Sequence, residues 1–414
     1  MKRRRFLWAG AAAVAGTAGL AACRWWPEQG LWNPCLPLLP PELAEHDLVR
    51  AAWFGIDAAK VWDCHVHLVG TGDSGSGIYI HPGMNSLLDP AQYARRLFFM
   101  NAGCVHAAEV GEVDRAYVAR MLNLMAGLRP GVRLLLYAFE RTHDAQGKVQ
   151  WGRTGFYVPN GYARDVAGLH PEFEWAASIH PYRADALDAL ERAAAEGARA
   201  VKWLPPAMGI DPASPRCMPF YRLLARLDLP LISHAGEERA VLGAEAHDLG
   251  NPLRLRAALD AGVRVVAAHC SSLGEDRDLD RGPNGPYVPS FGLFARMMDT
   301  PATAGRLYGD ISAVTQLNRA TDVLVTLLER EDWHPRLLNG SDYPLPGVMP
   351  IFSVRDLVAR GLLEPAAEDV LKTIRGHNPL LFDFVLKRTL RANGSAFAPS
   401  VFETRAFFLP RAAR

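Results

Sequence analysis

The sequence predicts an α/β fold: a parallel (β/α)8 barrel carrying an inserted, lid-like segment. Length is the first indication, because 414 residues exceed one ordinary domain yet suit a single barrel with insertions. Composition is the second: 49% hydrophobic against 21% charged residues provides apolar material for a large core. The third is an alternation that begins near residue 61. Short apolar or β-branched runs there alternate with alanine- and leucine-rich stretches at roughly thirty-residue spacing, as parallel strands joined by crossover helices require.

Residues 1–23 read as a targeting segment. "MKRRRFLWAG" supplies a positive start, and the small apolar stretch Ala9 to Ala22 is too short to span a bilayer as a helix. Arg3-Arg4 followed by Phe6-Leu7 resembles a twin-arginine export signal, although Lys2 stands where a small hydroxyl residue is usual. "LAAC" resembles a bacterial lipoprotein box, which makes Cys23 the lipidated first residue of an exported, periplasmic-side, membrane-anchored chain. Residues 24–60, rich in Pro and Trp, are expected to form a tether onto the domain. The net charge of +1 gives no electrostatic reason to expect a nucleic-acid partner. Removing Cys23 from six cysteines leaves five without close pairing, so no disulfide framework is expected.

Nine strand candidates compete for eight barrel places between residues 61 and 390: "VWDCHVHL", "GCVHAAEV", "VRLLLYAF", "EWAASIHP", "ARAVKWL", "PLISH", "VRVVAAHC", "RLYGDIS" and "RLLNGSDYP". Either the second or the third is expected to lie outside the barrel. The polar stretch from Arg141 to Glu172 is long enough to lid a site, and residues 391–414 form a C-terminal extension.

Polar residues at strand ends carry the chemistry. In the first strand His65 and His67 share one face by the two-residue period, while Cys64 and Val66 face away. Two neutral imidazoles make a poor core but half of a metal site. Lys202, His234 and His269 end successive strands, and Asp342 ends the strand two units further on; "RLYGDIS" between them offers nothing obvious. In a parallel barrel these ends converge on one mouth.

His65-x-His67, Lys202, His234, His269 and Asp342, in that order, resemble the ligand set of the amidohydrolase superfamily. The wording "DCHVHL", "SIHPYR", "AVKWLPP", "SHAGEE", "NGSDYP" and "IRGHNPLLF" is most similar to its amidohydrolase-related branch, over residues 61–385. The resemblance implies a distorted TIM barrel holding one or two divalent metals, usually zinc. It implies that His65 and His67 bind the more buried ion with Asp342. His234 and His269 would hold a second ion, or serve one ion and a substrate oxygen. The metal lowers the pKa of its water and polarises a scissile carbonyl, and Asp342 acts as general base. Lys202 is either carboxylated and bridging, as in binuclear relatives, or a substrate-binding or structural lysine. Arg183, with His180 in "SIHPYR", is placed to reach the mouth, where its guanidinium would hold a substrate carboxylate.

The function expected is metal-dependent hydrolysis of an amide, ester, lactone or related bond in a small-molecule substrate. The alternatives are a mononuclear decarboxylase or lyase of the same superfamily, and a catalytically silent, lipid-anchored binding protein.

Overall fold

A computed structural model of the chain describes residues 27–410 apart from residue 243. The targeting segment, including Arg3, Arg4 and Cys23, lies outside the described residues. Eight parallel strands form the barrel: β1 (Trp62–His67), β2 (Arg133–Tyr137), β3 (Phe173–Ala176), β4 (Val201–Trp203), β5 (Leu231–His234), β6 (Val265–Ala268), β7 (Leu307–Asp310) and β8 (Leu337–Leu338). They pair as a three-stranded sheet, β1 to β3, and a five-stranded sheet, β4 to β8. Parallel bridges Ala177–Val201 and Val66–Tyr343 join the two sheets. The fold is a TIM barrel, as predicted.

Of the nine strand candidates, "GCVHAAEV" is the one outside. Cys104 there takes a left-handed backbone after helix Pro90–Ala102 and forms a disulfide with Cys35. Eight candidates remain, and each supplies one barrel strand in its expected order.

Alternation fills the barrel axis. Trp62, Cys64, Leu135, Tyr137, Ala176, Ala200, Ile232, Val266 and Leu338 form one buried interior cluster. Phe408 from the C-terminal extension completes it, its ring 6.0 Å from Trp62 at the start of β1, so the barrel floor is sealed by a side chain. Outside, helices bury a stripe against the strands; Met218–Arg226 buries Phe220, Tyr221, Leu223 and Leu224, the spacing of one helical face.

Two expectations change. The segment expected as a tether is fastened to the barrel: Asn33 accepts from Asn101 Nδ2 at 3.2 Å, Leu36 N donates to Gly376 O, and Trp32 stacks on Phe98 at 5.3 Å. The cysteines, expected to form no disulfide framework, do form one bridge, Cys35–Cys104, because residues 69 apart in sequence meet where the strap crosses the helix end. Asn378 caps helix Pro379–Thr389 by accepting from Leu381 N at 3.0 Å. Among the described residues no helix is long and apolar enough to cross a membrane.

Candidate active site

A bulge in β1 builds the first half of the site. Asp63 pairs with Leu134 and Val66 with Leu136, so β1 carries one extra residue between them. Cys64 and His65 both turn toward the axis as a result, and His67, level with Tyr137, follows. Cys64 therefore packs inside the barrel, not on the opposite strand face as simple alternation predicts. Behind the bulge, Asp63 Oδ1 accepts from His65 N at 3.2 Å and from Ser341 N at 2.8 Å, fastening β1 to the loop that carries Asp342.

The remaining predicted residues arrive as their strands end. Asp342 Oδ1 lies 3.4 Å from His65 Nε2 and 3.2 Å from His67 Nε2, and Asp342 Oδ2 lies 4.0 Å from His269 Nδ1. The His269 ring stands 4.8 Å from His65 and 5.3 Å from His234. Lys202 Nζ is 3.3 Å from His65 Nε2 and 5.0 Å over the Tyr137 ring. All six residues line one cavity of about 860 Å³ open to solvent. His269 and Asp342 hold left-handed backbones, φ 57° and 61°, the strained geometry that recurs at functional turns.

Burial sets the protonation states. It lowers the His65 pKa to about 4, helped by Lys202, and lowers His234 and His269 too, so their ring nitrogens keep lone pairs at neutral pH. Burial also pushes Lys202 down. For Asp342 burial acts upward, but the neighbouring His65, His269 and His67 outweigh it and hold the carboxyl well below the usual range. Neutral imidazoles around an ionised carboxylate are a cation's donor set. His65, His67 and Asp342 bring ligand atoms within 4.8 Å of one another, as do His65, His269 and Asp310. His234 Nε2 is buried with no hydrogen-bond partner among the described residues. An orphaned imidazole nitrogen beside such a set fits a divalent metal.

Three contributors were not predicted. Asp310 ends β7, where the sequence seemed to offer nothing; its carboxylate meets His65 Nδ1 at 3.0 Å and accepts from His269 N at 3.0 Å. Its position at a strand end, matching Lys202 and His234, was the available signal. Ser312 Oγ lies 2.8 Å from His269 Nδ1. Glu238 Oε2 is 3.4 Å from His234 Nδ1, four residues on in "SHAGEE".

Arg183 is a correction. Its guanidinium is engaged by Glu140 at 2.6 Å and Asp185 at 2.7 Å, and it does not line the cavity. His180 likewise turns away, to the Met208 carbonyl at 3.1 Å and the His143 ring at 4.5 Å. The stretch Arg141–Glu172 divides into the crossover helix Asn160–Leu169 and an extended part whose Phe156–Tyr157 pairs antiparallel with Tyr79–Ile80.

Residues 62–382 match the family model described as Amidohydrolase. No curated protein matches the chain. Among solved structures it is similar to an uncharacterized TIM-barrel protein from Bordetella bronchiseptica, at 16% identity and TM-score 0.46, covering 75% of this chain and 94% of that one. It is also similar to a probable 2-pyrone-4,6-dicarboxylic acid hydrolase from Acinetobacter baumannii with citric acid bound (14% identity, TM-score 0.40, 72% and 90% covered). A third is 5-carboxyvanillate decarboxylase from Sphingomonas paucimobilis (11%, TM-score 0.44, 78% and 96% covered).

Proposed function

The chain belongs to the amidohydrolase family, and on that premise we propose that it is a divalent-metal-dependent hydrolase of an amide, ester, lactone or related bond in a small molecule. The observation that carries this reading is the meeting of His65, His67, His234, His269 and Asp342 in one cavity, with His234 Nε2 left without a partner among the described residues. His65, His67 and Asp342 would hold the ion, with His234 and His269 beside it; zinc suits this nitrogen-rich set. A bound divalent ion supplies Lewis acidity, which lowers the pKa of water and polarises a carbonyl.

The chain's own residues do the rest. Asp342, ionised and facing His67, takes the proton of the attacking water and passes it to the leaving group. Asp310 and Ser312 fix the rings of His65 and His269. Lys202 stands close enough to His65 to bridge two ions if carboxylated; as a free amine it would face substrate. The extended part of Arg141–Glu172, whose Phe156 lines the cavity, acts as a lid. We also place the protein outside the cytoplasm, exported by the twin-arginine segment and lipid-anchored at Cys23. The Cys35–Cys104 disulfide supports an oxidising compartment.

The test joins metal analysis of the purified protein to a screen of lactones, amides, esters and aryl carboxylates. Bound zinc with hydrolysis of one of the first three is expected. Carbon dioxide release would assign a lyase, and failure to bind any divalent ion would overturn metal catalysis.

A further inference from the structure

We propose that Arg96 anchors a carboxylate on an otherwise apolar substrate; the inference rests on reading the histidine-lined cavity as the active site. Apart from the histidines and acids of its floor, the cavity is walled by apolar side chains, among them Ile80, Met84, Phe139, Phe156 and Val241. Two cations line it. Lys202 meets His65 and the Tyr137 ring. Arg96 meets nothing: among the described residues no hydrogen bond, ion pair or ring engages its guanidinium, and its Nε is buried without a partner. Of the other arginines near the mouth, Arg95 lines the adjoining pocket and not this cavity, while Arg141 and Arg319 are engaged. Arg141 lies over the Tyr157 ring and bonds Glu140, and Arg319 donates to Ser272 Oγ at 3.0 Å.

A guanidinium beside apolar walls is costly unless an anion answers it. Arg96 is also held in place. It shares one face of helix Pro90–Ala102 with Phe99 and Met100, at i, i+3 and i+4, and all three line the cavity. The helix is fixed from outside by Trp32 on Phe98, by Asn33 on Asn101, and by the Cys35–Cys104 disulfide just past its end. Such a fixed cation recognises its partner with little ordering cost. One planar fork of N–H donors suits one carboxylate; a phosphate dianion would leave a charge uncompensated against apolar side chains. The substrate class is therefore an amphipathic monocarboxylate whose apolar body fills the cavity and whose scissile carbonyl lies at the histidines.

The probes are 4-phenylbutyrate and its neutral isostere 4-phenylbutyramide, titrated calorimetrically into the full-length protein, zinc-loaded and chelator-stripped. Wild type should bind the acid about 10-fold or more tighter than the amide in both forms, and Arg96→Met should bind the two alike. Arg96→Lys should retain part of the preference, and serves with Arg96→Gln should the methionine variant misfold. A preference that survives in Arg96→Met, or that vanishes on chelation, would assign the carboxylate to other groups and overturn the proposal. So would tighter, Arg96-dependent binding of phenyl phosphate. Because the readout needs neither metal nor turnover, an Arg96-dependent preference in a protein that binds no divalent ion would sink the hydrolase reading and leave this one standing.

Discussion

His65 Nδ1 stands 3.0 Å from Asp310 Oδ2, while the same ring's Nε2 faces Asp342 at 3.4 Å and Lys202 at 3.3 Å. An ionised carboxylate is an acceptor alone, so Nδ1 carries the proton and Nε2 presents its lone pair to the cavity. The seventh strand thus selects the tautomer of a residue on the first. Asp310 reaches His269 as well, through its backbone N–H at 3.0 Å, so one buried carboxylate organises ligands from two strands.

Asp310→Asn should weaken metal binding by about 10- to 100-fold with the fold intact. Asparagine still accepts from His269 N and Ser312 N through its oxygen, but turns an amide donor toward His65 Nδ1. That donor moves the imidazole proton to Nε2 and blocks the lone pair. Competition with a chromophoric chelator measures the change; unaltered zinc affinity would show that Asp310 does not set the tautomer.

Asp342→Asn separates holding the metal from doing chemistry. The amide keeps the shape and a weak oxygen ligand but cannot accept a proton at neutral pH. Turnover should fall by about 10²–10⁴-fold while bound zinc falls less. His67→Ala removes a ligand outright, so metal and activity should go together. Full turnover in Asp342→Asn would remove it as the base, and loss of all metal would leave it a ligand only.

These contrasts show what the sequence discloses. His65, His67, Lys202, His234, His269 and Asp342 were readable because a parallel barrel sends strand ends to one mouth, so order and spacing alone place them. Asp310 ends a strand in the same way, yet a lone aspartate in "RLYGDIS" has no histidine or lysine beside it to mark it as a site residue. The bulge that brings Cys64 inward is set by register with Leu134 and Leu136, which no local pattern reveals. Arg183 failed for a related reason: Asp185 stands only two residues on, but its other partner, Glu140, comes from a different loop, and only the fold joins them. The Cys35–Cys104 bridge spans a loop too long for spacing to suggest it.

On the proposal of a lipid anchor at Cys23, Cys23→Ser should move the protein from the membrane fraction to the soluble extract. Fractionation followed by immunoblotting reads the outcome. Retention on membranes after the change would remove the lipoprotein assignment.

Lys387→Met should destabilise the whole domain from a position outside the cavity. Lys387 Nζ donates to Gly340 O at 2.6 Å and to Asp383 Oδ2 at 2.6 Å, and both side chains are buried. Gly340 precedes Ser341 and Asp342, so the lysine holds the loop that aims the proposed base. Replacing it leaves a buried carboxylate without its cation and a carbonyl without its donor, at a cost of about 3–5 kcal/mol. The sign of the pH dependence follows from Asp383, whose carboxyl burial raises from 3.8 to about 7 against the pull of Lys387. A carboxyl raised in the folded state is tolerated while protonated, so that contribution is present at low pH and lost as pH rises through about 7. Removing the lysine removes the opposing pull; below about pH 7 Asp383 holds its proton with or without it, so the penalty in the variant should grow above that point, from about pH 7 to about pH 9. Pairing the change with Asp383→Leu should recover most of the loss, since an apolar pair avoids the stranded charge and leaves only the Gly340 carbonyl unmet, worth about 1–3 kcal/mol. Urea unfolding of the single and double variants at both pH values checks all three statements; a single variant within about 1 kcal/mol of wild type at the higher pH would show that Lys387 does not anchor the loop.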